Sequence, residues 1–286
     1  MGPKTPKIRG TFMKERTLTR ETRTKTALAS ILFTAFWAYS HQAHATEWAV
    51  APKIIGGDTV SGSDPIAKST AALLSGGALC TVSLLSVDLA LTAAHCVEGA
   101  AAGTTKLVFD RSIAGKPITR AVTGVIQYST YGSVTGEHPD TGDMALVRFS
   151  GGLPTGYTAA SFWTSNSALS TGQWVTLAGY GITDGEEHTG SGTLRKTWVK
   201  VAQAKYGKTE IIFDQRFGQG ACHGDSGGPA ILASGGKNYV LGVTSRGYND
   251  AKDDCSQYAV YTRVAPYKKW IKAAAKALGS TATLAL

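Results

Sequence analysis

The sequence predicts an all-β fold closed by a single C-terminal helix. Three observations carry that expectation. Glycine is abundant, 34 residues of 286 against nine prolines, as tight turns between strands require. Short apolar runs rich in β-branched and aromatic residues are cut by Gly, Ser, Thr and Asp along most of the chain, the signature of strands. One segment alone, Ala265–Leu278, places its apolar residues at helical spacing. A hydrophobic share of 43% and a charged share of 17% exclude disorder for most of the chain.

Taken in order, the chain opens on a basic stretch with Lys4, Lys7, Arg9, Lys14, Arg16, Arg20, Arg23 and Lys25. An apolar run, Ala27 to Tyr39, follows. It is too short to span a bilayer as a helix, which takes about 20 residues. The small-x-small site Ala43-His44-Ala45 ends it. Together these read as a secretory signal peptide over residues 1–45, with Met1 or Met13 as the start; the alternative is an uncleaved anchor. Residues 46–53, TEWAVAPK, precede Ile54-Ile55-Gly56-Gly57, where the mature region 54–286 begins. Expected strands include Ala78–Leu85, Leu89–Thr92, Lys106–Phe109, Met144–Phe149, Trp174–Ala178, Thr197–Ala202, Tyr239–Thr244 and Gln257–Val264. Pro266 suits the first turn of the final helix and Gly279 its stop. Residues 280–286 read as a frayed tail.

The net charge of +9 invites a nucleic-acid reading, but its location argues against one. Residues 1–53 hold nine Lys/Arg against three Asp/Glu, and the rest holds twenty against seventeen. Without its leader the chain is close to neutral and has no electrostatic case for nucleic acid. Four cysteines, Cys80, Cys96, Cys222 and Cys255, all follow the leader. An even count in an exported chain implies two disulfides, with three connectivities possible. No CxxC supports a metal site.

Three short segments carry chemistry: Leu91-Thr92-Ala93-Ala94-His95-Cys96, Asp143-Met144-Ala145-Leu146 and Gly224-Asp225-Ser226-Gly227-Gly228-Pro229. With Ile54-Ile55-Gly56-Gly57 ahead of them, the chain resembles the chymotrypsin-like, trypsin-fold serine peptidases from Ile54 to about Leu278. The resemblance implies two six-stranded antiparallel β-barrels with the site between them. It implies Ser226 as nucleophile, His95 as base and Asp143 as the group that orients the base. The N–H groups of Gly224 and Ser226 form the expected oxyanion hole. The expected disulfides are Cys80–Cys96 and Cys222–Cys255. This lean complement is similar to that of bacterial members.

Further expectations follow from the resemblance. Cleavage after Lys53 by a basic-specific protease frees the Ile54 amine, which pairs with Asp225, so the chain is a zymogen with an eight-residue propeptide, 46–53. Gly220 is expected on the floor of the specificity pocket, with Ser245, Arg246, Gly247 and Ala259 as walls. No charge stands at that floor, so large apolar or aromatic residues are expected before the scissile bond. Arg246 replaces the family's usual aromatic residue and is expected to favour acidic groups further along the substrate. Asp253 and Asp254 lie on the rim and keep open an attraction for basic side chains, while His223 reads as a solvated rim residue. The stretch 98–140 lacks a convincing carboxylate cluster, so neither metal nor cofactor is expected. Protein or peptide substrates, a monomer and no stable membrane association after processing complete the reading. The rival is a peptidase-like binding protein without catalysis.

Overall fold

The computed structural model describes residues 54–100, 103–133, 138–165, 167 and 169–286. The expected signal peptide and propeptide, residues 1–53, lie outside them. The elements are β1 (Asp58–Thr59), α1 (Pro65–Ser69), β2 (Thr70–Ser75), β3 (Ala78–Leu84), β4 (Leu89–Thr92), β5 (Lys106–Phe109), β6 (Ile118–Gln127), β7 (Ala145–Phe149), β8 (Ser161–Phe162), β9 (Trp174–Gly179), β10 (Arg195–Tyr206), β11 (Glu210–Asp214), β12 (Pro229–Ser234), β13 (Lys237–Tyr248), β14 (Tyr258–Arg263) and α2 (Lys268–Ala277).

Strands β2-β3-β4-β7-β6-β5 close a first antiparallel barrel. Strands β9, β10, β11, β14, β13 and β12 close a second, with β12 returning to β9. β1 extends the second sheet beside β10, and β8 lies parallel to β13. The expected two-barrel architecture is present. Closure removes the unpaired edges that an open sheet exposes. Leu73, Val82, Leu91, Leu107, Leu146 and Phe149 fill the first barrel, and Val175, Leu177, Val199, Ile211, Phe213 and Tyr261 the second. Ala72 and Val108 of the first barrel meet Ala178 and Ile231 of the second in a shared apolar cluster. That cluster joins the two barrels.

The helix prediction holds in its essentials. A 3₁₀ turn over Ala265–Tyr267 carries Pro266, and α2 follows. Its Ile271, Ala274 and Ala275 join the core of the first barrel. Gly279, at φ +74°, ends it, and its N–H donates to the Lys276 carbonyl. Two expectations are corrected. The short helix α1 was not foreseen; Pro65 starts it and Asp64 caps it by accepting from Ile66 N at 2.9 Å. Residues 280–286 are not frayed. Ala285 pairs with Phe162 and Leu85 through its main chain, and Leu284, Ala285 and Leu286 pack on the core. Among the described residues, no helix is long and apolar enough to cross a membrane.

Candidate active site

His95 sits one turn beyond β4, in a 3₁₀ turn spanning His95–Val97. The disulfide Cys80–Cys96, with Cα atoms 6.1 Å apart, ties that turn to β3. Gln127 Nε2 donates to the Ala94 carbonyl at 2.8 Å and fixes its other side. Asp143 lies two residues before β7 and is buried. Its Oδ2 stands 2.8 Å from His95 Nδ1, and its Oδ1 accepts the His95 N–H at 3.1 Å. The second barrel contributes a third bond: Ser245 Oγ donates to Asp143 Oδ2 at 2.7 Å. Burial is the largest influence on both groups and disfavours their charged forms. The His95–Asp143 hydrogen bond and attraction overcome it, holding His95 above its ordinary value and Asp143 below. An imidazole oriented in this way and able to hold a proton at Nδ1 is equipped to take a second one at Nε2.

Ser226 lies in a tight loop between Cys222 and β12. Asp225 N–H donates to the Cys222 carbonyl and Gly228 N–H to the Asp225 carbonyl. Gly227 adopts φ +80°, and a Cβ there would lie 2.1 Å from Thr92 Oγ1 and 2.4 Å from the Thr81 carbonyl, so only glycine fits. Thr81 of β3 stitches the loop to the first barrel. Its N–H donates to the Ser226 carbonyl at 2.8 Å and its Oγ1 to the Gly224 carbonyl at 3.0 Å. With both carbonyls turned to Thr81, the N–H groups of Gly224 and Ser226 meet no acceptor among the described residues. Two adjacent, unengaged donors suit an oxygen that becomes negative. His95 Nε2 lies 3.7 Å from Cys96 Sγ and is not hydrogen-bonded to Ser226 Oγ; in substrate-free sites this contact is often long and tightens with substrate.

Asp225 is 1% exposed. Its carboxylate accepts from Gly181 N at 2.8 Å and Cys222 N at 2.9 Å. Burial pushes its pKa up to about 7 against the pull of those two N–H groups and of Arg195. Ile54 is also fully buried, and Ile55 packs against the disulfide Cys222–Cys255. Gly220 N–H donates to the Ile55 carbonyl at 2.9 Å.

A pocket of about 240 Å³ opens beside Ser226. Ser245, Arg246, Gly247 and Ala259, the expected wall residues, line it with Ala221 and the Cys222–Cys255 disulfide. Gly220 does not. Gln215 occupies the floor: a Cβ on Gly220 would stand 2.2 Å from Gln215 Cδ. Gln215 is fully satisfied there, accepting from Ala221 N and donating to the carbonyls of Ala221 and Cys255. Asp250, which sequence reasoning did not single out, lines one wall. One of its oxygens accepts from Cys255 N at 2.8 Å, while Oδ1 is buried without a partner. Burial and the neighbouring Asp254 and Asp253 raise its pKa against the pull of Cys255 N–H. Asp253 is exposed at the mouth beside His223, whose ring stacks on His188. Asp254 accepts from Ser256 N outside the lining. The Arg246 guanidinium is engaged within the protein: Nη2 donates to Glu210 Oε2 at 2.9 Å. The expected attraction to acidic substrate groups has no free cation behind it.

A larger depression of about 330 Å³ lies between α1, residues 158–161 and the β12–β13 hairpin, but no carboxylate or imidazole lines it. Two groups of side chains are close enough to share a cation, Cys80, His95 and Cys96, and Cys222, His223 and Cys255. All four sulfurs are in disulfides, which removes the thiolates a metal needs.

Comparison with known proteins agrees with this arrangement. The family model described as Trypsin matches residues 54–271. The chain is 30% identical to trypsin Blo t 3 of Blomia tropicalis over 213 residues, 68% of this chain and 76% of that one. It is 29% identical to the fibrinolytic enzyme, isozyme C, of Lumbricus rubellus, over 67% of this chain and 86% of that one. Trypsin alpha-4 of Lucilia cuprina is 28% identical over 71% and 80%. These relatives are eukaryotic, and none of them supports the bacterial likeness expected from the two-disulfide complement. Two closed barrels, a Ser226 loop with a base–carboxylate pair at their seam, and a family match from residue 54 to 271 place this chain in the trypsin family, as a serine endopeptidase.

Proposed function

We propose that the chain is exported by its leader, residues 1–45, and held inactive until a basic-specific protease cuts after Lys53. Ser226, His95 and Asp143 then hydrolyse peptide bonds in protein substrates. Ser226 Oγ attacks the scissile carbonyl carbon as His95 Nε2 takes its proton. Asp143 keeps the other imidazole proton on Nδ1 and stabilises the imidazolium. The carbonyl oxygen becomes negative against the N–H groups of Gly224 and Ser226, each such donor typically contributing about 3–4 kcal/mol. His95 returns its proton to the leaving amine, and water releases the acyl group by the reverse steps. The observation that carries the reading is the 2.8 Å His95–Asp143 bond beside a serine loop with two unengaged N–H groups.

For the residue before the scissile bond we favour large apolar or aromatic side chains. Gln215 stands at the floor without charge, and Ala221, Gly247, Ala259 and a disulfide supply apolar wall beside the polar Thr244 and Ser245. The unpaired Asp250 Oδ1 favours a second reading, in which a Lys or Arg stem fills the apolar wall and its cation meets Asp250. An organophosphate labels Ser226 in an enzyme and leaves a catalytically dead binding protein unlabelled. Peptide-library profiling of wild type and Asp250→Asn then separates the two pocket readings. Loss of a Lys/Arg preference in the variant establishes the second; an apolar preference unchanged by the substitution establishes the first.

A further inference from the structure

Arg246 and Glu210 form a bidentate pair at the seam between the barrels. Nη2 donates to Glu210 Oε2 at 2.9 Å and Nη1 to Oε1 at 3.1 Å. Glu210 is fully buried and Arg246 largely so. Desolvating such a pair costs about as much as its attraction returns, so stability alone is a weak reason for it. Its remaining bonds reach the segment that carries Asp143 and the neighbouring Ser245. Glu210 Oε1 accepts from Thr141 N at 3.1 Å and from Thr141 Oγ1 at 2.8 Å. Arg246 Nη2 donates to the His138 carbonyl at 2.9 Å. Nη1 also donates to Ser245 Oγ at 3.2 Å. A hydroxyl has one proton; with a lone pair of Ser245 Oγ occupied by the guanidinium, that proton is directed to Asp143 Oδ2, 2.7 Å away.

Ser245 and Arg246 are consecutive, and a regular strand would aim them at opposite faces. The β13–β14 register shifts between Thr244 and Arg246. Such a bulge re-aims side chains, and here it lets both converge on the 138–143 segment.

We infer that the Arg246–Glu210 pair is a positioning device for Asp143, holding its main chain through Thr141 and His138 and its carboxylate through Ser245. This rests on the reading of Ser226, His95 and Asp143 as the catalytic set. It assigns Arg246 to the acid end of that set and not to a substrate subsite. The charged and titratable groups acting on His95 and Asp143 include Glu98 and Tyr131 from the first barrel; Glu210 and Arg246 of the second reach Asp143 through Thr141 and Ser245.

The test uses the activated enzyme with Arg246→Met, Arg246→Lys and Arg246→Met/Glu210→Gln, each checked for fold by near-UV circular dichroism. Steady-state kinetics on a small amide substrate are measured from pH 5 to 10, with organophosphate labelling of Ser226 as control. In Arg246→Met, kcat falls about tenfold or more, about 1.4 kcal/mol of barrier, while KM stays within about threefold. Its acid limb moves to higher pH, because the unpaired Glu210 anion favours protonated His95. The double variant returns the limb toward wild type without restoring kcat. Arg246→Lys keeps the cation, so its limb stays in place while loss of the planar fork still lowers kcat; this variant carries the test if Arg246→Met does not fold. A loss confined to KM, or a folded variant with kcat and acid limb both unmoved, overturns the inference. Failure of the organophosphate to label wild type overturns the catalytic reading itself, and the inference with it.

Discussion

Asp225→Asn should have opposite effects before and after cleavage at Lys53. In the uncut chain residue 54 has no free amine, and the buried Asp225 is held by two backbone N–H groups alone. Its pKa rises from 3.8 to about 7. A shift of roughly three units at 1.36 kcal/mol each is about 4 kcal/mol. The folded state binds its proton more tightly than the unfolded state does. Below pH 3.8 there is no cost; as pH climbs toward 7 the unfolded carboxyl ionises first and stability falls; above 7 the whole penalty is present. Asparagine removes the charge but sets its amide N–H₂ against one of the two N–H donors, a cost of about 1–3 kcal/mol. At pH 8 the variant precursor should therefore be the more stable by about 1–3 kcal/mol, and at pH 4 the less stable. After cleavage the same change leaves the inserted amine unpaired, costing about 3–5 kcal/mol and most activity. The assay is urea unfolding by tryptophan fluorescence from pH 4 to 8, in precursors kept uncut by Lys53→Gln, with activity measured on the processed forms. Differencing wild type and variant at each pH cancels the other titrating groups. A difference constant within about 1 kcal/mol across that range would refute the uncompensated carboxylate, as would full activity of the uncut chain.

Two further outcomes are expected. Ser226→Ala should abolish turnover while leaving the near-UV circular dichroism unchanged, since the hydroxyl serves only the covalent step; turnover within tenfold of wild type removes Ser226 from its role. Gly220→Asp, the obvious route to a basic-specific floor, should instead destabilise the fold by about 1–3 kcal/mol through overpacking against Gln215, with thermal melting and peptide profiling as readouts. Unchanged stability with a new Lys/Arg preference would mean that Gln215 does not fill the floor.

Much of the candidate site's local geometry was legible in the sequence because its motifs encode local necessity. Gly227 has no room for a Cβ between Thr92 and Thr81, so the glycine beside Ser226 is written into the chain as a letter. Cys96 follows His95 directly, and its bond to Cys80 anchors the turn. The C-terminal helix was legible for a similar reason: Ile271, Ala274 and Ala275 bury one face, and Gly279 supplies the positive φ that ends it. Strands such as Leu89–Thr92 and Lys106–Phe109 matched residue for residue, since each is bounded by turn residues.

What only the tertiary structure decided lies where side chains from distant segments compete for one volume. Gly220 was the expected floor residue, yet Gln215, five residues earlier, takes that space because the carbonyls of Ala221 and of the distant Cys255 both accept from its amide. Arg246 looks like a substrate-facing cation until the bulge in β13 turns it inward to Glu210, which starts another strand of the same barrel. Asp250 becomes a pocket residue only once Cys255 N–H draws its carboxylate against the wall. The tail 280–286 has no periodicity to announce its docking, which depends on main-chain partners at Leu85 and Phe162. Local sequence determines what a residue's own backbone permits; the direction of a long polar side chain depends on the partners that the closed barrels bring within about 3 Å of it.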